Sequence, residues 1–117
     1  MSTIDQLANI AIRLAPRTKR KLKRFAAAFF EYHKQGLTYC AHETIHNTQV
    51  INAYEDARIE LMNDPTMVKS GASLFLDWRH AMDRINEGNL SSAEIHDIVQ
   101  GIKESEWRLF ELGSSLE

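Results

Sequence analysis

Apolar residues along this chain recur at intervals of three and four, and no segment sustains an alternation with a period of two. That spacing gathers apolar side chains on one face of a helix and withholds the two-faced pattern of a half-buried strand. The periodic stretches are separated by short polar breaks, which favour antiparallel neighbours. The expected fold is all-α, an antiparallel bundle of four main helices with the first broken by a proline kink near Pro16. With 117 residues there is room for one core, so residues 1–117 are read as a single helical domain.

In chain order, Thr3 is placed to cap a first helix, with Gln6 completing a capping box and Ile4, Leu7, Ala11 and Leu14 forming its stripe. Pro16 interrupts the helix, because its ring clashes with the preceding turn. The phase then resumes through Thr18, Leu22, Phe25, Phe29 and Tyr32 and ends at Gln35-Gly36. A central helix is expected from Leu37 to Met62, apolar over more than half its circumference through Tyr39, Val50, Tyr54, Ala57 and Leu61 and through Ala41, Ile45, Ile59 and Met62. Asp64 as cap and Pro65 at the first helical position open the next helix. It is expected to run from about Met67 to Glu87, with Gly71 on its stripe allowing close helix approach. After Gly88-Asn89, Ser91 and Glu94 form a capping box for a last helix that stops near Gly113.

Charge is distributed unevenly. Residues 1–36 hold eight Lys/Arg against two Asp/Glu, whereas residues 37–117 hold six against fourteen. Cys40 is the single cysteine and has no partner for an internal disulfide, which points to a reducing compartment. No apolar run reaches the roughly 18 to 20 residues of a membrane span. No basic residue precedes the first apolar stretch, so a signal peptide is not expected and the anticipated setting is cytoplasmic, with no membrane partner.

One pentapeptide spells a catalytic motif. His42, Glu43, Thr44, Ile45 and His46 match H-E-x-x-H, in which two histidines four apart bind Zn²⁺ and the glutamate activates the bound water. This resembles a zinc peptidase over five residues only. The longer pattern needs glycine at Gln49 and histidine at Asn52, and His80, on the following helix, lies about 200° from Trp78 at about 100° per residue, facing solvent. Glu43-x-x-His46 and Asp77-x-x-His80 also resemble the pairs of di-iron bundles, with His33, Glu43, His46 and His96 as a conceivable layer. A zinc- or iron-binding bundle, with His42, Glu43 and His46 as ligands, is thus the alternative reading. The plainer expectation is no cofactor, with His33 and Glu43 hydrogen-bonded to each other.

Two further side chains are explained structurally. Glu106 sits amid Ile102, Leu109 and Phe110, where a carboxylate needs a partner; the basic residues Arg17 to Lys21, or Arg58, are expected to supply it. Cys40 and His42 are two apart and do not share a helix face, so Cys40 is read as a core or boundary residue.

Arg17, Arg20, Lys21 and Arg24 share the face of their helix opposite the apolar stripe, the footprint of contact with an acidic partner. No helix-turn-helix, zinc finger or aromatic base-stacking platform accompanies them, so a protein partner is favoured over nucleic acid. Leu76 and His80 on the third helix and Trp107 on the fourth are expected on outer surfaces, as a partner face or homodimer seam. The expected function is a non-enzymatic helical binding protein, a regulator, inhibitor or adaptor.

Overall fold

The computed structural model describes residues 13–37 and 44–116, the side chains of 35–37 and 44–47 excepted. Among the described residues there are five helices and no strand: α1 Pro16–Leu37, α2 Thr44–Met62, α3 Pro65–Lys69, α4 Ser73–Glu87 and α5 Ser92–Ser115. The all-α reading holds. Helix α1 lies between α2 and α5, α4 packs on α5, and the short α3 joins α2 to α4. Paired residues fix the directions. Tyr32 meets Tyr54 while Thr18 meets Asp64, so α1 and α2 run antiparallel. His33 meets Trp107 while Leu22 faces Gly113, so α1 and α5 do likewise.

The proline break falls where the sequence places it. Arg13 is helical, residues 14 and 15 are not, and the helix restarts at Pro16, where a missing N–H leaves no bond unmade. Leu14 is buried beside the break and ties it to the core. The expected capping box at Thr3 and Gln6 and the stripe Ile4, Leu7 and Ala11 lie outside the described residues, as do Tyr39, Cys40 and Ala41.

Two expectations need correction. The helix anticipated from Met67 to Glu87 is two helices, parted at Ser70, Gly71 and Ala72. Gly71 adopts φ +69°, a left-handed conformation suited to glycine, and the Ser70 hydroxyl donates to the Met67 carbonyl at 2.6 Å while accepting from the Ala72 N–H at 3.3 Å. The apolar phase survives the break because Met67 on α3 and Leu74, Phe75, Trp78 and Met82 on α4 face the same core. Gly71 itself is exposed with nothing near its missing side chain. Close helix approach is instead the role of Gly113, inside a helix that continues to Ser115. A β-carbon there would lie 2.5 Å from the Leu22 carbonyl oxygen and 2.8 Å from the Ala26 β-carbon.

The core is aromatic at its centre. Phe25 and Trp78 are fully buried with ring centroids 5.9 Å apart, and Phe25 also meets Phe29 and Tyr54. These contacts bridge α1 to α2 and α4, so one cluster holds the helices in register. The expected capping box at Ser91 and Glu94 forms in both directions, at 3.2 and 3.3 Å. No helix among the described residues is long and apolar enough to cross a membrane.

Candidate binding surface

Helix α1 carries an apolar half and a basic half, and the two are used differently. Lys21 lies at the border, where its Nζ reaches Asp64 Oδ1 at 2.8 Å. Asp64 is 2% exposed and also accepts from the Thr18 hydroxyl at 2.8 Å and the Met67 N–H at 3.0 Å. Burial alone raises such a carboxyl, but the Lys21, Met67 and Thr18 donors outweigh it and hold Asp64 below its ordinary value. Lys21 is therefore a structural cation first. One turn on, Arg24 pairs with the half-exposed Glu60.

Arg17 and Arg20 differ. Both are exposed, and neither forms an ion pair with any described residue. With Lys21, Arg24 and Glu60 they line an open hollow of about 270 Å³ on the α1–α2 side. A second open hollow, of about 330 Å³, is lined by Arg13, Leu14, Thr66, Lys69 and Ser70. The first turn of α1 contains no acidic residue, although a helix N-terminus favours anions. Cations crowded there oppose the helix dipole and add to its positive field, a local cost that an anionic partner relieves.

On the side of α1 turned to α5, the fold builds something the linear sequence does not display. Phe30 is 53% exposed and lies nearly parallel to Phe110, at 13° with centroids 6.4 Å apart. Trp107 is 48% exposed and is held by near-perpendicular contacts with Phe29 and Phe110. His33 is half-buried against Phe29 and Trp107; burial, then the charge of Lys103, pushes its pKa down. Trp107 was legible as an exposed residue from its place off the stripe. Phe30 sits one residue, and so about 100° of helix, beyond the core residue Phe29, where the sequence alone does not part it from the apolar stripe.

The other expected positions scatter. His80 is exposed, as its helical phase requires. Leu76 is only half-exposed and packs against the core, so little of its apolar surface is left for a partner. Neither joins the Trp107 surface by any ring contact. His42, Glu43 and the side chain of His46 lie outside the described residues, and so does the expected His33–Glu43 bond. Among the described residues no three His, Cys, Asp or Glu side chains gather as a metal would require.

Glu106 is buried as expected, at 4% exposure. Its partners are Tyr54, whose hydroxyl donates to Oε2, and the nearby Arg58, one of the two suppliers anticipated. The Trp78 indole N–H lies close enough to favour the charged form without an aligned hydrogen bond, and Oε1 is left without a partner. Burial dominates these effects and pushes the Glu106 carboxyl up. The phenol of Tyr54 is raised too, by burial and then by Glu106. At 7% and 4% exposure this pair is out of reach of a substrate.

Comparison with protein-family models, with curated proteins and with solved structures gave no match.

Proposed function

We propose that this chain is a non-enzymatic helical binding module, a small regulator, inhibitor or adaptor, that engages a macromolecule of acidic character through the outer face of α1. One observation carries the reading. Arg17 and Arg20 stand exposed, without an ion pair to any described residue, on a helix whose neighbouring cations, Lys21 and Arg24, are already held by Asp64 and Glu60. Unneutralised cations at a helix N-terminus favour an arriving anion. Packing of α1 against both α2 and α5 helps as well, because a preformed surface loses little conformational freedom on association.

The test is capture from a native cell extract, with and without nuclease, comparing the wild-type chain with the combined Arg17→Glu and Arg20→Glu variant. The expected result is a partner retained by the wild type, lost by the variant and released as salt is raised. Equal capture by both proteins, or capture indifferent to salt, removes Arg17 to Arg24 from the account.

A further inference from the structure

Exposed aromatic rings beside unpaired lysines form the chemistry that holds single-stranded nucleic acid, since the cations take phosphates and the rings take unstacked bases. We propose that the α1–α5 seam binds single-stranded nucleic acid, with Phe30 and Trp107 as stacking platforms and Lys19, Lys23 and Lys103 as phosphate contacts. The proposal rests on the reading of α1 as a binding helix and extends it around that helix to a second face.

Three observations meet at this seam. Lys19, Lys23 and Phe30 follow one another at four and seven residues and share one helical face, spanning about 16 Å at about 1.5 Å per residue. None of Lys19, Lys23 and Lys103 forms an ion pair with a described residue. Lys103 lies one turn before Trp107 on α5 and acts on the neighbouring His33, although burial is the larger cause of that imidazole's lowered pKa. The rings are also well supported. Phe110 backs Phe30, and Phe29 and Phe110 fix Trp107, so both platforms are preformed while about half of each remains open to solvent. Single strands are favoured over duplex because a stacked base pair offers no free base face to a side chain. A single strand answers the lysines and the rings together in every repeat, whereas the carboxylates of an acidic peptide answer the lysines alone.

The full chain carries its own probe. Trp78 is fully buried and Trp107 is half-exposed, so a stacking base quenches the second and spares the first. Oligo-dT and oligo-U of about 12 nucleotides, within the usual range of site sizes, are titrated against the protein and compared with a duplex of equal length. Partial quenching by the single strands is expected, and its absence in Trp107→Phe. Phe30→Ala, a change at a half-exposed ring that leaves the core intact, lowers affinity by roughly 5- to 100-fold when followed by anisotropy. Lys19→Ala with Lys23→Ala lowers the slope of log affinity against log salt by about 1.4. Equal affinity for duplex, or no response to Phe30→Ala in a protein whose circular dichroism is unchanged, overturns the proposal. So does a failure to bind any oligonucleotide while Arg17 and Arg20 still govern capture of a nuclease-resistant protein, which leaves the broader reading standing. Loss of both responses ends both.

Discussion

Asp64 and Glu106 are buried to almost the same degree, at 2% and 4% exposure, yet their carboxyl groups are displaced in opposite directions. The difference lies in donors. Asp64 receives one hydrogen bond each from a hydroxyl, an ammonium and a backbone N–H, and caps α3 with the last of these. Among the described residues Glu106 receives one, from Tyr54, and its second oxygen has none. Removal from water disfavours both charges; only at Asp64 do enough oriented dipoles replace the lost solvent. One carboxylate thus ties the α1–α2–α3 corner together, while the other is a concession inside the aromatic core.

The sharpest test of that contrast is Asp64→Ala. It removes the α3 cap and leaves the buried Thr18 and the half-buried Lys21 without their acceptor, so a loss of about 3 kcal/mol is expected in urea unfolding. A loss below about 1 kcal/mol means that the three donors do not act together on Asp64. Tyr54→Phe comes next. It strips Glu106 of its single hydrogen bond and is expected to cost about 1–3 kcal/mol. The cost should shrink in a Glu106→Gln background, because no charge is then left unpaired; equal costs in both backgrounds show that the hydroxyl acts elsewhere.

Glu106→Gln alone is smaller in effect and opposite in sign. A carboxyl whose pKa is raised on folding contributes stability that is whole below its ordinary value and is lost as pH rises through the raised one. The glutamine variant is therefore expected to match the wild type in acid and to exceed it by about 1 kcal/mol at neutral pH. Asp64 behaves inversely. Its depressed pKa gives stability above the ordinary carboxylate value that disappears as pH falls through the folded value. Unfolding midpoints measured from about pH 3 to about pH 8 should lose the upper decline in Glu106→Gln and the acid decline in Asp64→Asn. A single profile shared by wild type and both variants contradicts the assignment.

Much of this architecture was readable from the sequence because it depends on local pattern. Asp64 before Pro65, Ser91 before Glu94 and the break at Pro16 each announce a helix end through the residues that satisfy it. Glu106 was legible as buried, and Arg58 as a partner, from helical phase and level. Tyr54 and Trp78 were not, since only the packed bundle brings side chains from α2, α4 and α5 to one point. The split between α3 and α4 escaped because both helices present the same face to the core, so their apolar rhythm crosses Gly71 without a skip. The aromatic seam escaped for a similar reason: Phe30 is far from Trp107 in the chain and reaches Phe110, one turn beyond Trp107, only through the antiparallel pairing of α1 with α5.

The least costly change falls on a third carboxylate. Glu60 faces the same basic helix as Asp64 but on its solvent side, with 39% of its side chain exposed against 58% of Arg24. An ion pair so hydrated contributes little, and Glu60→Gln is expected to leave stability within about 0.5 kcal/mol of the wild type. Its effect should appear in binding instead. Releasing Arg24 adds a third free cation to Arg17 and Arg20 in the α1–α2 hollow, so affinity for an acidic partner rises about twofold. The two readouts separate the roles of the two acids along α1: at Asp64 the charge serves the fold, at Glu60 it moderates the surface. If Glu60→Gln instead costs as much as Asp64→Ala and leaves capture unchanged, the whole basic face is structural, and the partner must meet the molecule elsewhere.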